Sequence, residues 1–299
     1  MPLLARVSVR SVERPSPSFV RLELAGADLA DFGVDGPFYD QRIKLLFPGP
    51  SGRLPALRIE SWWEDFLALP ESDRGAIRTY TVAGVRGEGV ETTMLVDFVL
   101  HPGAHGPGSS WAAGAQVGDE LLTVVPKRGE HFGGIEFDPG DARRIMLVGD
   151  ETALPAIAQI VRELPASVTG SAFIEVPCAE DVQPLEAPPM MEIFWLPRDD
   201  RPVGVPVAEA VGSFLGFAPT PAPESDVDPD VWETPTYSSS GELLPAGDVA
   251  PVGDGRYAWI AGESGMVTTL RRHLVDDLGL PRNQVAFMGY WRQGVAMRG

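Results

Sequence analysis

The hydrophobic pattern of this chain changes period once, near residue 140, and that change constrains the fold more than any other feature. Before it, short runs of β-branched and apolar residues are separated by Gly and Pro: LARVSVRSVER, FVRLELAG, QRIKLLFP, IRTYTVAG, TTMLVDFVLH and DELLTVVP. Apolar residues at every second position place one face of a strand on a core. Six such runs predict an antiparallel barrel, interrupted only by a short helical stretch at SSWAAGAQVG. After FDPGDARR, continuous apolar runs (RIMLVG, GSAFIEV, MEIFWLP, YAWIAG, QVAFMGYW) alternate with runs spaced near 3.6 (TALPAIAQIVREL, VPVAEAVGSFLG, GMVTTLRRHLVDDLG). Buried strands alternating with helices predict a doubly wound α/β domain on a mostly parallel sheet. Two domains are therefore expected, 1–139 and 140–299.

The second domain is interrupted by residues 218–256, rich in Pro, Ser and acid, with Glu224, Asp226, Asp228, Asp230 and Glu233 close together. Such composition reads as a solvated flexible loop, with a mobile lid over a site as the alternative.

Charge and composition exclude several classes of function. A net charge of −18 opposes nucleic acid, which needs a basic stripe, and disfavours an anionic membrane. No apolar run is long enough to span a bilayer. The N-terminal MPLLARVSVRSVER lacks an apolar stretch with a cleavage site, so a cytoplasmic setting is expected. The single cysteine, Cys178, excludes an internal disulfide, and the four histidines show no metal-ligand spacing, so no protein-bound metal is expected. Monomeric behaviour is expected as well.

No nucleophile elbow, GxGxxG or Walker A motif occurs, so an enzyme of this layout would borrow its chemistry from a cofactor. Four stretches could hold one. Arg78 and Tyr80 share a strand face, where an aromatic ring can lie on a flat heterocycle beside a phosphate-binding guanidinium, and Thr81 adds a hydroxyl. Gly106, Pro107, Gly108, Ser109 and Ser110 feed a helix expected to start at Trp111, with the serines as N-cap candidates and free N–H groups for a phosphate. The first α/β strand ends at Gly149, with Pro155 early in the following helix. A later strand ends at Gly262-Glu263 in the same way. Taken singly, each stretch also has an ordinary reading as a strand, a capped helix or a strand end.

Together, IKLLFP, RTYTV, DFVLH…GPGSSWA…GDEL, VGDETALPAI, AWIAGE and GYWRQG resemble the siderophore-interacting proteins, a branch of the ferredoxin–NADP reductase-like flavoproteins. The resemblance covers nearly the whole chain; only 218–256 is longer than the family pattern. Gly108 stands where that pattern has alanine, a difference expected to matter little. The resemblance implies an FAD-binding barrel, a nicotinamide-binding domain, and reduction of ferric siderophores that releases iron as Fe(II). It implies that Arg78, Tyr80 and Thr81 hold the flavin and its phosphate. Asp97, His101, Gly106, Pro107, Ser109, Ser110 and Trp111 would form a second FAD motif. Gly149, Asp150, Glu151, Thr152, Pro155, Gly262 and Glu263 would face NADH or NADPH, although Asp150 and Thr152 replace glycines common in the wider superfamily. Trp291 would either cover the flavin or belong to the core.

An anionic ferric siderophore needs a local cationic patch on so acidic a chain, and Lys44, Lys127, Arg128 and Arg292 are the candidates. Between Glu163 and Pro197 there is no Lys or Arg, while Glu175, Glu180 and Asp181 follow the second α/β strand. A 2′-phosphate there would meet like charge, which favours NADH; Arg271 and Arg272 could reverse that. The competing functions are a general flavin reductase or electron-transfer flavoprotein, and a non-catalytic FAD-containing siderophore-binding protein.

Overall fold

The computed structural model describes residues 1–100, 106–234 and 255–295. The chain divides into two compact units between Ile135 and Glu136. In the first, the six expected runs are the strands β1 (Leu3–Ser16), β2 (Phe19–Ala25), β3 (Arg42–Phe47), β4 (Ala76–Arg86), β5 (Thr93–Val99) and β6 (Glu120–Val125). They close into an antiparallel barrel in the order β1-β2-β5-β4-β3-β6, which leaves no open edge. Alternate residues such as Val7, Leu22, Leu24, Ile43, Leu45, Val82, Val96 and Phe98 fill its interior.

Two helices complete this unit. The first, α1 (Trp62–Leu67), lies in the long β3–β4 connection, a stretch without a helical period. Its role follows from the outer barrel face: Leu46, Ile77, Leu122 and Val124 form an apolar patch there, and Phe66 and Trp62 cover it. The second, α2, runs Pro107–Gly114, four residues earlier than the expected start at Trp111. Proline fits a first helical position because its fixed φ suits the turn and its missing N–H has no helical partner there.

In the second unit, β7 (Arg144–Gly149), β8 (Thr169–Val176), β9 (Met190–Pro197), β11 (Arg256–Glu263) and β12 (Val285–Trp291) are parallel. The short β10 (Trp232–Glu233) adds antiparallel to β12, giving the order β10-β12-β11-β7-β8-β9. Helices α3 (Leu154–Glu163), α4 (Val205–Leu215) and α5 (Ser264–Arg271) connect them, and a π-helical turn over Arg272–Asp277 extends α5. The direction of strand progression reverses between β7 and β11. That is the switch point at which open α/β sheets bind ligands.

Gly170 shows how tightly β8 meets β7. Its φ is +146°, and a Cβ there would collide with the Ile145 carbonyl oxygen. Strain and overpacking together should make Gly170→Ala cost roughly 2–4 kcal/mol. That corresponds to about 5–15 °C in the unit's melting midpoint. Calorimetry checks this; an unchanged midpoint would show that the backbone relaxes freely.

The first half of the expected insertion is solvated, as expected, but it is anchored. The Thr220 N–H donates to His273 Nε2 at 2.9 Å and the Ala222 N–H to Thr269 Oγ1 at 3.0 Å. Glu224 pairs with Arg292, and Arg271 donates to Glu233 at 2.9 Å. These contacts stitch 220–233 to α5 and β12; residues 235–254 lie outside the described residues. Among the described residues no helix is long and apolar enough to cross a membrane.

Candidate functional site

On β4, Arg78 lies opposite Leu45 and Tyr80 opposite Ile43 of β3, both on the face that turns into the barrel. The Tyr80 ring packs on Phe98 at 4.4 Å and faces Phe47 edge-on at 6.3 Å. Trp111 of α2 packs on the same two rings. Tyr80 is half-buried, and burial pushes its hydroxyl pKa up, so it stays a neutral phenol. Thr81 alternates to the other face, is buried, and sits opposite Arg42.

Lys44, across from Thr79, donates to the Thr79 hydroxyl at 2.9 Å. Its pKa is lowered, first by burial and then by the neighbouring Arg42 and Arg78. Arg78 donates one N–H to the Ile77 carbonyl at 2.7 Å. Among the described residues neither Lys44 nor Arg78 has a carboxylate partner. A chain of net charge −18 thus keeps two un-neutralised cations on neighbouring strands, Arg78 on the face that carries Tyr80 and Lys44 on the other.

The turn before α2 differs from expectation in two ways. Gly106 is the N-cap, and Ser109 and Ser110 lie inside the first turn, where Ser110 N–H already donates to the Gly106 carbonyl at 2.9 Å. The early N–H groups of Gly108 and Ser109 still have no helical acceptor. Gly108 is also less neutral than expected, because a Cβ there would overlap the Tyr80 hydroxyl oxygen. A cavity of about 640 Å³ opens beside Trp111, lined by Arg6, Arg53, Asp119 and Glu120; Arg6 is paired with Glu120, and Tyr80, Arg78 and Lys44 are not part of this lining. Stacking ring, the Arg78 guanidinium and the helix N–H groups together fit an FAD.

Other expected residues are engaged elsewhere. Asp97 accepts a bidentate pair from Arg21 of β2 at 2.7 and 2.8 Å, a cross-strand role that the sequence did not disclose. His101 lies outside the described residues. Lys127 is half-buried and bridges to the Phe32 backbone, while Arg128 is exposed.

In the second unit the expected strand-end residues converge at the switch point. Asp150 is fully buried. Its Oδ1 accepts from the Thr152 N–H at 2.9 Å and the Thr152 hydroxyl at 2.5 Å. Its Oδ2 accepts from the Glu263 N–H at 2.7 Å and from Trp291 Nε1 at 2.8 Å. Burial, and then the charge of Glu151, raise its pKa to about 7. Trp291 thereby ties the end of β12 to the end of β7.

Glu263 Oε2 caps α5 by accepting from Gly265 and Met266 N–H, and its Oε1 accepts from Arg292 at 2.6 Å. Arg292 also pairs with Glu224, so it is not a free cation for a substrate. Gly149 permits close packing: a Cβ there would lie 2.5 Å from Ala153 Cβ and 3.1 Å from the Ala261 carbonyl oxygen. The helix α3 starts at Leu154, with Pro155 in its first turn.

Glu151 turns inward. Arg198, the residue just past the cation-free segment, grips it bidentately at 2.5 and 2.6 Å and lies 3.5 Å from Glu175. Glu175 also accepts from the Gly204 and Val207 N–H groups at the start of α4. Glu175 and Asp181 are therefore buried, and only Glu180 of the three expected acids is exposed. Arg271 is held by Glu233. The like-charge case against a 2′-phosphate thus shrinks to Glu180; of the two expected rescuers Arg271 is paired, whereas Arg272 keeps a buried Nη1 with no hydrogen-bond partner among the described residues.

Comparison with known proteins agrees with this layout. Residues 142–294 match a family described as siderophore-interacting protein, and residues 8–130 match the siderophore-interacting FAD-binding domain. A relative from Mycobacterium tuberculosis, Rv2895c, is 38% identical over 195 residues; the match spans 64% of each chain, less than two thirds of that relative's length. The ferric vibriobactin reductase ViuB of Vibrio cholerae is 28% identical over 279 residues, covering 93% of this chain and 86% of ViuB. Among solved structures, a siderophore utilization protein from T. fusca aligns with a TM-score of 0.69 at 29% identity, over 97% of this chain and 93% of that one.

Proposed function

The chain belongs to the siderophore-interacting protein family, and from that premise we propose that it is an FAD-dependent reductase that takes electrons from NADH or NADPH and delivers them to an Fe(III)-siderophore. Bound FAD supplies the exchange between a two-electron hydride donor and a one-electron ferric acceptor. The protein's own groups bind, orient and screen. Tyr80 offers the stacking surface, Arg78 and the first-turn N–H groups of α2 meet phosphate, and the Thr81 hydroxyl or backbone N–H meets a ring nitrogen.

The substrate is the ferric siderophore, commonly an anion, and a chain this acidic admits it only where cations are un-neutralised. Lys44 and the loop cations Lys127 and Arg128 are the groups for that role. Fe(II) carries less charge than Fe(III) and holds hard oxygen ligands more weakly, so reduction is release. The donor is assigned to the strand ends at Gly149–Thr152 and Gly262–Glu263. NADH is the favoured form, because Glu180 is exposed and Arg198 and Arg271 are paired, which leaves Arg272 as the one expected cation that could serve a 2′-phosphate.

One observation carries the proposal: in a chain of net charge −18, Arg78 shares a strand face with Tyr80 and has no carboxylate partner among the described residues, and Lys44, on the opposite face of the neighbouring strand, has none either. Steady-state turnover with NADH, then NADPH, should be compared across ferric siderophores, free flavin and small ferric complexes, with an Fe(II) trap present. Higher kcat/KM on ferric siderophores is expected. A preference for free flavin would make this a general flavin reductase, and no turnover on any acceptor would leave a binding protein.

A further inference from the structure

We propose that Gly108 sets the depth at which the Tyr80 ring sits and, through that ring, the affinity and environment of the flavin; this rests on the assignment of Arg78–Thr81 to the flavin. Gly108 lies in the first turn of α2 with an ordinary negative φ, so no backbone conformation requires glycine there. Glycine in a helix costs about 1 kcal/mol relative to alanine. Space explains it instead. A Cβ at 108 would overlap the Tyr80 hydroxyl oxygen and lie 3.1 Å from Tyr80 Cζ and 3.2 Å from Phe47 Cζ.

The surroundings dictate which partner would yield. Phe98 and Phe47, the rings on which Tyr80 packs, are 0% and 4% exposed and belong to the barrel core. Tyr80 is half-buried, the least enclosed of the three rings. A methyl at 108 would therefore drive the tyrosine outward, away from α2 and towards the face on which a flavin stacks. Gly108 touches no reacting atom; it is a positioning residue that acts through one phenol.

The test is a four-protein cycle: wild type, Gly108→Ala, Tyr80→Phe and the double variant. Each apoprotein is titrated with FAD by fluorescence, the visible spectrum of bound flavin is recorded, and each apoprotein is melted without FAD. Gly108→Ala should weaken FAD about tenfold, equivalent to about 1.4 kcal/mol, and shift the flavin band. Tyr80→Phe removes the one atom the methyl would overlap and leaves two close approaches that small shifts relieve, so the double variant should lie within a factor of about three of Tyr80→Phe. The apoprotein melts should show the same pattern, a loss in Gly108→Ala recovered in the double variant.

Wild-type affinity and spectrum in Gly108→Ala would overturn the inference. So would a double variant as weak as Gly108→Ala, or failure of both to fold, since the methyl would then act through Phe47 or the helix. Folding of the double variant alone would support it. If wild type refuses FAD, the flavin assignment fails, and the inference's flavin half falls with it; the melts still decide whether Tyr80 and Gly108 are coupled.

Discussion

Replacing Arg198 by methionine should destabilise the α/β unit by about 3–5 kcal/mol, the cost of breaking a buried ion pair from one side. The guanidinium is 11% exposed, and both carboxylates it serves, Glu151 and Glu175, are 0% exposed. Methionine fills much of the volume but leaves two carboxylates in a low-dielectric site. Glu175 retains its bonds from Gly204 and Val207 N–H, whereas Glu151 loses a bidentate partner. In melting midpoint the loss is roughly 6–20 °C. Adding Glu151→Gln should recover part of it, because one uncompensated charge disappears. A single variant that melts within a degree or two of wild type would mean that water reaches these carboxylates.

Asp150 should give the second large effect, and its size depends on pH. Asp150→Ala removes the acceptor for three N–H donors and one hydroxyl, at a cost of at least about 3 kcal/mol. Asp150→Asn isolates the charge. The wild-type carboxyl titrates near 7 when folded and near its ordinary 3.8 when unfolded, so between those values the folded state holds a proton that the unfolded state has lost. Its contribution to stability is complete below the unfolded value and declines as pH rises to about 7. Of the four partners only the Thr152 hydroxyl can accept, so the proton is placed on that 2.5 Å bond. Glu151 and Glu263 adjoin the site, with Arg198 and Arg292 paired to them. Relative to Asp150→Asn, wild type should lose about 1 kcal/mol per pH unit across this window. Urea melts of both proteins at several pH values measure it, and a pH-independent difference would contradict it.

The barrel strands were legible because each alternates apolar and polar residues between Gly or Pro breaks, and a closed barrel makes that alternation strict. The central α/β strands β7, β8, β11 and β12 were legible as continuous apolar runs for the opposite reason, burial on both faces, whereas β9 keeps such a run at a half-exposed edge. The helix α1 was not legible, since six residues covering an outer barrel patch carry no period of their own. The start of α2 was misplaced because serines are good caps, but the Gly106-Pro107 pair begins the helix first. For the acidic 218–234 stretch, composition reports the side chains that face water. It is silent on the backbone N–H groups of Thr220 and Ala222, which anchor the segment on α5 and its extension. Arg198 was invisible for a similar reason: a sequence shows a charge one residue beyond a strand, not that it folds back onto two buried acids.

The most direct measurement is an anaerobic single turnover. Purified protein carrying FAD is bleached with a stoichiometric amount of NADH and then mixed with a ferric siderophore and an Fe(II) chelator. The flavin absorbance should return in step with the coloured Fe(II) complex, and each flavin reoxidised should yield two Fe(II). A flavin that bleaches but stays reduced with the siderophore, and recovers only when oxygen or free flavin is admitted, would contradict ferric-siderophore reduction as the function of this chain.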